Sequence, residues 1–149
     1  MKPTNSLRLQ NARILDVLDQ LESMLDPIVL RADARSAHLM LTYLLRWSLV
    51  HLAMEETLLF PMLRRNIEPA LRRVASRYER ELERLTVACT EHDQVYAQAV
   101  SIQSAPEQFI AETCRLAGSL RDRLLREESE LFALVDRVAF APEPAVNPS

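Results

Sequence analysis

A single glycine, Gly118, in 149 residues is the feature that most narrows what this chain can fold into. Leucine, alanine, arginine and glutamate dominate instead, and strong helix formers without turn-making glycines leave little room for strands or tight hairpins. The expected class is all-α. The length is that of one domain's core, and no shift in composition marks a second one.

Prolines and apolar spacing divide the chain into four long segments. Helix 1 starts after the capping cluster Thr4, Asn5 and Ser6 and ends near Asp26, because Pro27 disfavours helix in the residue before it. Its seam is Leu7, Asn11, Ile14, Leu18, Leu21 and Leu25, spaced to keep one face toward partner helices. Helix 2 runs from about Asp33–Ser36 to Arg65, bent or terminated by Pro61, with Leu41, Leu44, Ser48, His51, Glu55, Leu58 and Met62 inward. Pro69 opens helix 3, expected to reach Ile102 on a seam of Val74, Tyr78, Glu81, Leu85, Ala88, His92, Val95 and Ala99. Pro106 opens helix 4, expected to reach Phe140 with Phe109, Thr113, Leu116, Leu120, Arg123, Glu127, Leu131, Leu134 and Val138 inward. Short connections imply antiparallel neighbours, hence an up-down-up-down four-helix bundle over residues 1–140, followed by a flexible Pro-rich tail, 141–149.

The anomaly is a histidine and a carboxylate, His51 and Glu55, one turn apart where apolar residues belong. The stretch HLAMEETLLFPML (51–63) is echoed by RLLREESELFALV (123–135): a histidine or charged residue, Glu-Glu four and five later, then Leu-Phe. The two hairpins look like related halves. Imidazole and carboxylate from facing helices of a bundle can surround divalent ions.

These residues resemble the hemerythrin-like (HHE cation-binding) family, whose helices 2 and 4 each read H-x-x-x-E-E followed by L-F-P. The resemblance spans nearly the whole chain and implies a bundle that ordinarily holds a di-iron centre. It puts His51, Glu55 and Glu127 at ligand positions, but Arg123 where helix 4 should give a histidine and Asn11 where helix 1 should. The ligand set is therefore degenerate, and with three histidines in all a His-rich, oxygen-carrying centre cannot form. On helix 3 the resemblance puts the usual histidine near 78 to 79.

Height along the bundle decides among the helix 3 candidates. At 1.5 Å per residue, His51 and Glu55 stand roughly 18 to 24 Å above the turn near 67, a level helix 3 reaches near residues 79 to 83. His92 overshoots it by roughly 13 to 20 Å. Flanked by Glu91 and Asp93, it is expected at the surface or boundary. The candidate cluster is thus His51, Glu55, Glu81 and Glu127, with Tyr78, Arg123 and Asn11 around it.

Two functions follow. One is a metal-binding protein with a reduced, carboxylate-rich site for iron or another divalent metal; by resemblance it would handle iron or sense oxygen or nitric oxide. The other, which the residues favour, is a metal-free relative with no cofactor, acting as a regulatory or interaction module for a protein partner. The direction of Arg123 separates them: inward, it supplies the positive charge a metal would otherwise bring to buried carboxylates. No nucleophile–base pair, phosphate-binding glycine loop or CxxC motif argues for an enzyme. A formal charge of −3, with arginines scattered among acids, argues against nucleic acid or an anionic membrane as partner. The amphipathic start and the want of a long apolar run point to the cytoplasm. Cys89 and Cys114 are expected reduced and buried. Monomer and homodimer remain open.

Overall fold

A computed structural model of the chain describes residues 4–66 and 68–139. The elements are α1 (Asn5–Glu22), α2 (Pro27–Ala32), α3 (Arg35–Met54), α4 (Phe60–Arg64), α5 (Pro69–Val95), α6 (Ala99–Ser104), α7 (Pro106–Arg126) and α8 (Phe132–Ala139). Two π-helical segments, Glu55–Leu59 and Glu127–Leu131, join α3 to α4 and α7 to α8, making two continuous rods. No strand occurs among the described residues.

Four rods close into a ring in which α1 and α5 each pack on both α3 and α7. Side-chain pairs fix the directions. Arg8 near the start of α1 meets Glu128 and Asp136 near the chain's end, while Arg121 meets Asp19 and Glu22 at the other end of α1. Arg77 pairs with Glu130, Arg123 with Glu81, and His92 with Thr113, so α5 and α7 run opposite ways. Both α1 and α5 thus run antiparallel to α7, around an interior that includes Leu18, Leu45, Phe60, Phe109 and Phe132. Burying each such side chain contributes roughly 1.5–3 kcal/mol.

Helix ends differ from the expectation in ways the local chemistry explains. Helix 1 stops at Glu22. Pro27 does not follow its end but opens α2, where a missing N–H costs nothing, and the Asp26 carboxylate accepts from the amides of Ile28 (2.8 Å) and Val29 (3.2 Å). Thr4 is at the N-cap of α1, yet its hydroxyl caps nothing and donates to Asp136 Oδ1 instead (2.8 Å). Helix 3 ends at Val95, not Ile102, and its buried line is Leu71, Ala75, Tyr78, Leu82, Leu85, Cys89 and His92. Val95 is exposed, and Glu81 lies at the edge of the inner face.

The π segments were not expected, and they rotate everything after them. One π turn takes up an extra residue, so the inward positions become Leu59, Phe60 and Leu63 in place of Leu58 and Met62. Leu131, Phe132 and Val135 are buried in the second rod, while Leu134 and Val138 are only half-buried. The same bond resets each ladder: Phe60 N–H donates to Glu55 O, and Phe132 N–H to Glu127 O. The first segment precedes Pro61, but the second has Ala133 at that place, so proline is not what makes the turn. Side chains take carbonyls around both: Thr57 Oγ1 donates to Ala53 O (3.0 Å) and Met54 O (3.3 Å), and Ser129 Oγ to Arg126 O (3.4 Å). The sequence echo is thus a structural repeat. The expected tail, 141–149, lies outside the described residues.

Candidate functional site

Each π segment begins with a buried glutamate, Glu55 or Glu127, and one turn earlier in each rod stands the residue that differs between the halves, His51 or Arg123. All four side chains are sealed from solvent at the centre of the bundle. His51 Nε2 lies 2.9 Å from Glu127 Oε1 and 3.2 Å from Glu55 Oε1. Its single proton goes to Glu127, which leaves Glu55 Oε1 in electrostatic contact but without a hydrogen-bond partner. On the other side of the ring, Nδ1 is 2.8 Å from Gln10 Oε1, whose amide nitrogen is turned to Met54 Sδ. An amide oxygen only accepts, so Nδ1 donates as well, and His51 is an imidazolium.

The charges agree with that assignment. Burial alone would lower the His51 pKa, but the hydrogen bond to Glu127, the 3.2 Å contact with Glu55 and the charges of both outweigh it and raise it to about 9. Burial and the neighbouring Glu127 charge push Glu55 up to about 7, against the pull of His51. Glu127 feels burial too, yet His51, Glu55 and Arg123 together hold it down, to about 2. Glu127 is the ionised acid of the pair, and Glu55 is the one that takes a proton first.

Arg123 points inward and is fully buried. Its Nε donates to Glu127 Oε2 (2.7 Å), Nη1 to Tyr78 O (2.8 Å) and Glu81 Oε1 (3.1 Å), and Nη2 to Glu55 Oε2 (3.4 Å). The guanidinium carbon sits 4.8 Å from the centre of the Tyr78 ring, which gives the plane a cation–π floor.

His51, Glu55 and Glu127 each offer a ligand-type atom, and these lie within 4.8 Å of one another. Glu81 is not in this trio. It is at the level expected from the helical rise, but Arg123 stands between, and its second oxygen is taken by Arg126 Nη2 at 2.6 Å. Asn11 is buried as expected and donates to Leu124 O (3.2 Å) and Glu128 Oε1 (3.4 Å), so it holds the helix beside the trio; its Oδ1 has no partner. The Tyr78 hydroxyl donates to Glu130 Oε2 (3.0 Å) and Arg126 O (3.3 Å), again at the π segment. His92 was expected at the surface and is buried, its Nε2 3.0 Å from Thr113 Oγ1. Thr113 is fourteen residues before Glu127 on the rod, about 21 Å along it, so His92 stays far from the trio. Cys89 is buried, but Cys114 is exposed; neither is in a disulfide.

The seam reading singled out Asn11 and passed over Gln10, the residue that sets the His51 ring. Nothing in the spacing marks it, because it reaches the ring from beside the seam. Glu128 and Arg8 form another unforeseen link: Arg8 binds Glu128 (2.7 Å) and Asp136 (3.0 Å) and lies over the Phe132 ring, tying α1 to the second π segment.

An antiparallel helical bundle with one imidazole and carboxylates at its centre, on rods that repeat each other, belongs to the histidine–carboxylate class of helix bundles. Residues 2–135 match the hemerythrin HHE cation binding domain, and the chain belongs to that family. No curated protein and no solved structure matches it.

Proposed function

We propose that this hemerythrin-family domain closes its centre with Arg123 in place of metal, and works as a regulatory or interaction module without catalytic chemistry. The observation that carries this is the buried Arg123 guanidinium spanning Glu127 and Glu55. The residues do not fit a pair of metal ions. Arg123 occupies the position equivalent to His51, so one rod presents a cation where a ligand would be. A dication held by these carboxylates at about 5 Å from the guanidinium would be repelled by roughly 6 to 7 kcal/mol at an effective dielectric of 20. The lone imidazole would also have to surrender its Nε2 proton, which Glu127 stabilises. With His51, Arg123 and, at the edge, Arg126 as cations against Glu127, Glu55 and Glu81, the positive groups match the carboxylates in number.

A second reading keeps one ion on His51, Glu55 and Glu127. The close approach of their ligand atoms and the unpartnered Glu55 Oε1 favour it; Arg123 would have to swing away. Metal content per chain on untagged protein purified without chelator separates the two. The first reading expects folded protein with substoichiometric metal and no thermal shift on adding iron(II), manganese(II) or zinc(II), and a gain of divalent-metal affinity in Arg123→His. Near-stoichiometric metal that vanishes in His51→Ala would establish the second. Free thiols at Cys89 and Cys114 suit a reducing compartment such as the cytoplasm, where we place the domain.

A further inference from the structure

A groove of about 980 Å³ runs between α1 and α3, remote from the charged centre. Leu9 and Leu39 stand on it 73% and 70% exposed, and Val50 continues the same face of α3 at 50%. Between them Arg13 is already immobilised, with Nη1 on Tyr43 Oη (3.0 Å) and the guanidinium carbon 5.0 Å from the centre of the Trp47 ring. Held in this way, Arg13 loses little side-chain freedom on being covered.

We propose that the α1/α3 face is the interface of a homodimer, with a second copy of the chain related by a two-fold axis lying in the face and perpendicular to the helices. The order of residues along both helices is what selects a second copy. On α1, Leu9, Arg13, Asp16 and Gln20 are spaced by four, three and four; on α3, Leu39, Tyr43, Arg46 and Val50 repeat that spacing. That spacing, common to any helix face, is the same in either direction; what is particular is that Arg13 and Asp16 flank the midpoint on α1, and that the two midpoints stand at one height, because Arg13 touches Tyr43 and Trp47. A two-fold at that height lays each helix antiparallel on its own copy. Arg13 then faces Asp16 of the second chain twice over, Tyr43 faces Arg46, and Leu39 faces Val50. Arg46 is exposed and enters no ion pair among the described residues, so it is free to stack on an incoming ring. One charge of each sign at mirrored positions suits a self-complementary contact, whereas an acidic or basic partner would call for a single sign.

The size of the face sets the strength. Two helices about 27 Å long and each roughly 10 Å wide cover on the order of 500 Å² per chain, about 1,000 Å² in total, which is the low end for a specific interface. The dimer is therefore concentration-dependent. It goes beyond the reading of the core and does not depend on it, so the test is run with chelator present.

Sedimentation equilibrium of the full chain from about 1 to 300 µM, a range chosen around micromolar affinity, should show a monomer–dimer equilibrium. Leu39→Glu should weaken it at least about tenfold, and so should Asp16→Arg and Arg13→Asp separately, since each single change sets like charges together twice. An equimolar mixture of the Asp16→Arg and Arg13→Asp chains should recover association, because both contacts then join opposite charges. Circular dichroism confirms that these exposed substitutions leave the helices formed. A monomer at every concentration overturns the proposal. So does a dimer indifferent to Leu39→Glu and Asp16→Arg, or a mixture that fails to associate.

Discussion

Replacing Arg123 by methionine keeps the apolar stem and removes the only guanidinium among the buried charges. The lost interactions are the 2.7 Å bond to Glu127, the longer one to Glu55, the bonds to Glu81 and the Tyr78 carbonyl, and the stack on the Tyr78 ring. Breaking a buried ion pair from one side costs about 3–5 kcal/mol, because the surviving charge has neither water nor partner. Here the low end applies near neutrality. Glu55 already titrates at about 7, so without Arg123 it holds its proton, and Glu127 retains His51. About 3 kcal/mol is expected, or roughly 6 to 12 °C in Tm for a domain of this size. The loss must grow with pH: in acid Glu55 is protonated with or without Arg123, whereas in alkali it must ionise beside Glu127 while His51 gives up its own charge. Urea unfolding followed by far-UV circular dichroism, on both proteins at about pH 5, 7 and 9, measures this. A difference below about 1 kcal/mol at neutrality, or one that does not change with pH, would refute the assignment of Arg123 as the cation that holds the core.

Three further outcomes are expected. His51 has a folded pKa of about 9, above its ordinary value of 6.5, so its contribution is complete below 6.5 and disappears as pH rises through 9. Stability should fall by about 3 kcal/mol across that window, and His51→Gln should flatten the limb; an unchanged profile in that variant would show that another group titrates. Gln10→Ala removes the acceptor on Nδ1, a bond to a charged group worth about 1.5–3 kcal/mol, and should lower the His51 pKa in an NMR titration. If that pKa does not move, the amide does not set the ring. In the other half of the bundle, His92→Leu alone should destabilise by about 1–3 kcal/mol by stranding the Thr113 hydroxyl, while adding Thr113→Val should recover most of the loss; additive losses in chemical denaturation would show that the two do not interact.

The helical class and the antiparallel order were legible because apolar spacing over long segments repeats many times and survives local errors. Phase within a helix is weaker information. On helix 3 the expected and observed seams share Tyr78, Leu85 and His92, but the observed one fills in with Ala75, Leu82 and Cys89, and that shift takes Glu81 to the edge. Glu91 and Asp93 are exposed beside a buried His92 because neighbours on a helix point in different directions, so their charge says nothing of its burial. Pro27 reads equally as a stop or a start, because proline both follows helices and opens them; only the Asp26 side chain, which caps the next helix, decides between the two.

The π turns could not be read from a 3.6-residue period, yet they left a trace. Phe60 and Phe132 are each buried five residues after a buried glutamate, Glu55 or Glu127, a step that in an unbroken α-helix turns about 140° away from it. The extra residue carries the inward face past Glu55 and Glu127, and Thr57 and Ser129 bond carbonyls of the turn just before each segment. What the echo supplied directly was the equivalence of positions 51 and 123. Once both are placed one turn before a buried glutamate, the direction of Arg123 follows from physics: it lies deep within a long rod, too far from either end to snorkel, and two carboxylates await it. With His51 in one half and Arg123 in the other, each half brings one cation to the buried glutamates, so the arginine supplies a counter-ion at the place where the other half has its imidazole.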